Sequence, residues 1–128
     1  MKNKNQEKTE LLASLKDEDY CYLTTKGRKS GNPHEIEIWF GVNGNSIYLL
    51  SGGGEKSDWV KNLLEDPNVT VRIAKHTFNG IARIVSGDKE STMARHMLAG
   101  KYQEWHEGES LSEWGRTAMV VGIEIKQN

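Results

Sequence analysis

Cysteine occurs once and proline twice in these 128 residues, and both scarcities exclude something. A lone Cys21 cannot close an internal disulfide or build a cysteine zinc site, so a reducing cytosol is the expected compartment. Lying in an apolar stretch, Cys21 reads as a buried, inert thiol. Nowhere do about 18 apolar residues run together, so no spanning helix and no stable membrane insertion are expected. The opening MKNKNQEKTE is polar and lacks the apolar stretch of a secretory signal. Net charge is only -1, so there is no global reason to expect nucleic acid as a partner. Catalytic signatures are missing as well: no G-x-S-x-G elbow, no Walker loop, no G-x-G-x-x-G between strand and helix. The histidines, His34, His76, His96 and His106, show no i,i+4 pair, and no metal site is expected.

What is present is enough for one core. Hydrophobic residues make up 36%, including four Trp, four Tyr and two Phe, and the length suits a single domain over 1–128, with 1–8 as a frayed tail. From Thr9, the spacing of Leu11, Leu12 and Leu15 predicts a short helix. Tyr20–Lys26 reads as a strand. Residues 35–42 alternate, with Ile36, Ile38, Phe40 and Val42 on one face and Glu35, Glu37 and Trp39 on the other. Asn43-Gly44-Asn45 predicts a hairpin to Ser46–Ser51. A helix built on Trp59, Val60, Leu63 and Leu64 stops at Asp66-Pro67. Strands are predicted over Val69–Ala74 and Phe78–Ser86. A helix then runs from Gly87-Asp88 to Gly100, and Ala118–Lys126 is a closing strand.

Strands that come in hairpins favour an antiparallel sheet. The expected fold is α+β, mainly β. About six mostly antiparallel strands curl into a small barrel that hides its edges, with three or four flanking helices.

Two segments carry candidate chemistry. In Gly27-Arg28-Lys29-Ser30-Gly31-Asn32-Pro33, glycines let successive N–H groups face one point, a concavity that suits an anion. Arg28 can grip a phosphate through two donors and Lys29 adds a point charge. The competing reading is a solvated hairpin whose cations keep an edge soluble. In Ser51-Gly52-Gly53-Gly54-Glu55-Lys56-Ser57-Asp58-Trp59, main chain and a helix start come close to a ligand's edge, or form a flexible connector. Lys56 adds a cation, Asn62 lies near the face of Trp59 and could anchor a loop, and Trp59 favours the core.

The stretches TTKGRKSGNP (24–33), SGGGEKSDW (51–59) and WVKNLLEDPNVTV (59–71) resemble the deazaflavin-dependent nitroreductase family, as do Tyr102-Gln103-Glu104-Trp105 and Arg116–Ile125. The resemblance implies a split β-barrel related to flavin-mononucleotide-binding barrels, with coenzyme F420 as cofactor. It implies that Arg28, Lys29, Ser30 and Gly31 hold the coenzyme's phosphate and acidic tail. Further contacts would come from Ser51, Gly52, Gly53, Gly54 and Lys56, with Trp59 and Asn62 on the following helix. Tyr102 would border the acceptor pocket. Ser57-Asp58 departs from the family's usual residues before the Trp, and Trp105 stands where some members have Tyr.

Hydride transfer to a small electron-poor acceptor (an enone, quinone or nitro compound) then needs no catalytic triad, because the cofactor supplies the reactive bond. Tyr102 or His106 would be the candidate proton donor, and Tyr102, Trp105 and Trp114 the acceptor-side wall. The rival readings are an FMN-binding oxidoreductase or flavin carrier, and a non-catalytic small-molecule-binding barrel. An outward Trp39 beside Glu35 and Glu37 leaves room for a homodimer.

Overall fold

A computed structural model describes residues 3–126. In chain order it has α1 (Lys4–Ser14), β1 (Cys21–Lys26), β2 (Pro33–Ile38), β3 (Gly41–Asn43) and β4 (Ser46–Ser51). A short 3-10 turn (Gly54–Lys56) leads to α2 (Asp58–Glu65), β5 (Asn68–Ile73) and β6 (His76–Ile84). The chain closes with α3 (Asp88–Tyr102), α4 (Glu113–Thr117) and β7 (Met119–Ile125).

The strands form one sheet in the order β2-β1-β5-β6-β7-β4-β3, and every neighbouring pair is antiparallel. Its two edges, β2 and β3, are consecutive in the chain and parted only by Trp39 and Phe40. Three Cα–Cα steps of about 3.8 Å reach roughly 11 Å at most, so a flat sheet of this order is impossible. The sheet must curl until its edges meet, which makes a split barrel.

Alternation along the strands sorts the core. Leu23, Ile47, Leu49, Val71, Ile73, Val121 and Ile123 fill the barrel together with Leu63 of α2. Tyr48, Leu50 and Val120 point the other way and are covered by Ala94 and Leu98 of α3. β4 is therefore buried on both faces, as its SIYLLS run requires.

Four expectations are corrected. Residues 4–8 are helical rather than frayed. Asn3 caps α1 by accepting from Gln6 N at 2.8 Å while Gln6 Oε1 accepts from Asn3 N at 3.0 Å, a reciprocal box that satisfies two otherwise orphaned donors. Residues 1 and 2 lie outside the described residues. The single strand expected over 35–42 is two strands, raising the count from six to seven, because the chain leaves one sheet edge at Ile38 and joins the other at Gly41. Trp39 consequently does not share an outward face with Glu35 and Glu37; it stacks on Tyr102 with ring centroids 4.4 Å apart and planes at 6°. Finally, α3 runs past Gly100 to Tyr102, since Lys101 and Tyr102 find tertiary partners on Phe40.

Candidate functional site

The basic segment between β1 and β2 is a closed turn. Gly27 N donates to Asn32 O and Gly31 N to Gly27 O, each at 2.8 Å. Gly31 has φ +76°, which a side chain resists by roughly 1–2 kcal/mol. Arg28, Lys29 and Ser30 ride on this ring.

Arg28 is pinned to the protein. Its backbone N–H donates to Asn62 Oδ1 at 3.2 Å and its Nη1 to the same oxygen at 2.8 Å. Its Nη2 lies 3.1 Å from Asp58 Oδ1, and the side chain is 19% exposed. Asn62, only 4% exposed, completes the set by donating Nδ2 to Thr25 Oγ1 at 3.1 Å. One buried amide thus ties β1, the turn and α2 together. Lys29 and Ser30 stay exposed, and among the described residues their N–H groups have no hydrogen-bond acceptor. Ser30 Oγ accepts from Asn32 N at 3.1 Å.

Two clefts flank the ring. One of about 270 Å³ is lined by Arg28, Lys29, Ser30, His34, Asp58 and Asn62. The other, about 500 Å³, adds Lys26, Glu65 and Asp66 to the turn residues. Asp66 accepts from Asn68 Nδ2 and Asn68 N, which holds its carboxyl below the usual carboxylate range. Three cations therefore face two carboxylates in the larger cleft, while in the smaller one Asp58 is already paired to Arg28. Lys29 and the two open N–H groups are left to meet an anion, so the ring fits a phosphate or carboxylate.

The glycine loop sits at the start of α2. Ser51 is buried, and its Oγ donates to Gly54 O at 3.2 Å and lies 3.0 Å from Ser57 Oγ. It braces the loop, leaving Gly52, Gly53 and Lys56 exposed. Trp59 packs against the barrel core. A side chain at Gly52 would come within 3.6 Å of Trp114 Cδ1, and Trp114 meets Trp39 edge-on at 5.5 Å. The loop thus adjoins the Trp39–Tyr102–Trp114 aromatic cluster.

The expected proton donors are placed differently. The Tyr102 hydroxyl receives the Phe40 N–H at 3.0 Å and donates toward Asp19 O at 3.0 Å and Phe40 O at 3.1 Å. Burial pushes its pKa up to about 12. His106 stands on an exposed loop, its side chain 81% accessible, with Nδ1 3.2 Å from Glu109 Oε1; it lines neither cleft beside the turn. Trp105 stacks on His96 at 4.3 Å and so does not join Trp114. Cys21 is buried, and that burial raises its pKa to about 12. No group of three or more His, Cys, Asp or Glu able to hold a metal occurs among the described residues.

Sequence reasoning passed over Thr25, His34, Asp58 and Trp39. Three carried a signal: β1–β2 pairing sets Thr25 opposite His34, directly beside the turn, and Asp58 lies one turn before Asn62 on α2. Trp39 carried none, since its alternation argued for the opposite face.

The fold is thus a split barrel, and the turn between its first two strands carries two cations and two open N–H groups. Residues 2–112 match the family described as F420H(2)-dependent quinone reductase. The chain belongs to that family; it is an oxidoreductase whose cofactor is coenzyme F420.

Solved structures share the fold. A candidate 5-nitroimidazole antibiotic resistance protein from Bacteroides thetaiotaomicron is 18% identical, with TM-score 0.71 over 99% of this chain and 82% of that one. An F420-H2 dependent reductase, FDR-A, is 18% identical, with TM-score 0.65 over 83% and 94%. A domain-swapped dimer is 20% identical, with TM-score 0.66 over 93% and 94%. No helix among the described residues is long and apolar enough to cross a membrane.

Proposed function

We propose that this protein reduces a small electron-poor acceptor (a quinone, enone or nitro compound) and holds F420 by the ring of residues 27–32. The observation that carries the reading is the ring itself: two N–H groups without acceptors beside Lys29, on a backbone clamped through Arg28 and Asn62. Reduced F420, when bound, supplies the hydride. The N–H groups of Lys29 and Ser30 would hold its phosphate and acidic tail, with Lys29 as counter-ion and Gly31 giving the ring its left-handed bend. Arg28 lines the smaller cleft as a fixed guanidinium held by Asn62 and Asp58.

Gly52 and Gly53 present bare main chain to the coenzyme's flank, with Gly54 and Ser51 bracing the loop and Lys56 at its exposed end. Trp59 backs this loop from the core side. Trp39 and Trp114 wall the acceptor side and keep water from it. His106 is given no role in this reading, since it lines neither cleft beside the turn.

Fluorescence titration tests the tail contact. Arg28→Ala combined with Lys29→Ala is expected to weaken F420 binding by about 2–4 kcal/mol, one charged hydrogen bond plus a smaller Coulomb contribution. Wild-type affinity in the double variant would reduce the ring to a solvated hairpin, and equal affinity of the wild-type protein for FMN would favour a flavin oxidoreductase on the same barrel. Comparing turnover of a naphthoquinone, cyclohexenone and a nitroimidazole then identifies the acceptor. The likeness to a domain-swapped dimer supports a homodimer in solution, which light scattering reads directly. The single cysteine supports a reducing compartment, the cytoplasm.

A further inference from the structure

The two residues that join the barrel's edges, Trp39 and Phe40, have no strand partner, yet Phe40 is fully buried. Its backbone N–H and C=O must be paired or carry a large desolvation penalty. They are paired by side chains from the end of α3. Tyr102 Oη accepts from Phe40 N at 3.0 Å. Lys101 Nζ donates to Phe40 O at 3.1 Å and lies 3.8 Å from the centre of the Phe40 ring. Burial draws the Lys101 ammonium below the ordinary lysine range, the mark of a cation taken into the seam.

The same Tyr102 hydroxyl reaches Asp19 O, at the entrance to β1, so it joins three segments. A phenol has one hydrogen and two lone pairs. Here the hydrogen is committed to main-chain carbonyls and one lone pair to the Phe40 N–H. The ring is committed too, lying flat on Trp39, which in turn meets Trp114 edge-on.

We infer that Tyr102 is a positioning residue: it clasps the barrel seam and holds Trp39 against Trp114, shaping the acceptor side without delivering a proton. This rests on the proposed function for the part that concerns the acceptor, while the clasp itself does not.

Tyr102→Phe keeps the stacked ring and removes only the hydroxyl, and three readouts follow. Amide hydrogen exchange at Phe40 accelerates by about tenfold or more, the loss of roughly one net hydrogen bond. The Trp39 indole N–H signal moves in the NMR spectrum while that of Trp59 stays. KM for a naphthoquinone rises by about tenfold, with kcat within about twofold, an unchanged pH profile and unchanged F420 affinity.

Unaltered Phe40 exchange or an unmoved Trp39 signal overturns the inference, whether or not F420 binds. A fall in kcat at constant KM with a new pH dependence overturns it in favour of a proton donor. Failure of the wild-type protein to bind F420 removes the proposed function but leaves the exchange and indole results to decide the clasp. Should Tyr102→Phe not fold, exchange in the wild-type protein decides: the Phe40 N–H is expected to be protected by its bond to the Tyr102 hydroxyl, and unprotected exchange there counts against the clasp.

Discussion

The basic ring at residues 27–32 and the seam at Trp39–Phe40 are both breaks in the sheet, and they are repaired in opposite ways. The ring closes on itself through bonds between residues four and five apart, braced from a distance only through Arg28, by Asn62 and Asp58 of α2. The seam makes no such closure. Its backbone groups are satisfied by side chains 61 and 62 positions away, and the hydroxyl involved reaches a carbonyl 83 positions distant. A self-closed turn can leave donors open for a ligand. A seam held from elsewhere has the buried N–H and C=O of Phe40 committed, and its contribution to function is placement.

Breaking the ring's buried brace, Asn62, is expected to have the largest effect. Asn62→Ala removes the acceptor for two Arg28 donors and the donor to buried Thr25. Leaving such groups unpaired costs about 2–3 kcal/mol, read as a lower urea midpoint, and F420 affinity should fall with it. A ring that kept full stability and affinity without Asn62 would be autonomous, and the contrast with the seam would be complete.

Gly31→Ala is a milder break of the same side. The φ of +76° with open space around the position predicts a loss of about 1–2 kcal/mol from backbone strain alone. No loss would mean that the ring relaxes out of its left-handed bend.

The smallest effect falls on the far end of α3, which carries the clasp at its other end. Glu90 accepts from Arg83 Nη1 at 3.0 Å, and also from Arg83 Nη2 and the Tyr48 hydroxyl. The bonds from Arg83 first, then that from Tyr48, hold its carboxyl below the usual range. A carboxyl with a depressed pKa in the folded state stabilises the fold above its unfolded value, and that contribution disappears as pH falls through the folded one. Glu90→Gln should therefore lower Tm at neutral pH, with the gap to wild type closing below about pH 4. A gap that stays constant from pH 7 to pH 3 would show that the contact is one of shape rather than charge.

Much of the ring was legible before the structure. Glycine, two cations, a hydroxyl and glycine between strands specify a turn with outward N–H groups, because the bonds involved are local. β1 followed from its aromatic and β-branched run, β4 from the Asn43-Gly44-Asn45 hairpin signal, and α2 from its apolar pairs and Asp66-Pro67. Alternation misled at Trp39. It holds only while a strand stays in one sheet position, and here the chain changes edge in mid-run, so the side chain that should face outward meets Tyr102 instead. The early start of α1 was missed because Asn3 and Gln6 cap each other inside a segment whose charge suggested a tail. Trp105 was placed with Trp114 on shared aromaticity, whereas the structure gives it to His96.

Local chemistry along the chain was sufficient for the turn, the hairpins, the positions of the cations and the motifs that place the chain among F420-dependent reductases. Which polar groups remain free to act was decided only by folding. Arg28 is spoken for by Asn62 and Asp58, and the Tyr102 hydroxyl by Phe40 and Asp19. Availability depends on partners brought together across dozens of residues and on the burial that makes pairing obligatory, and neither is written in the spacing of neighbours.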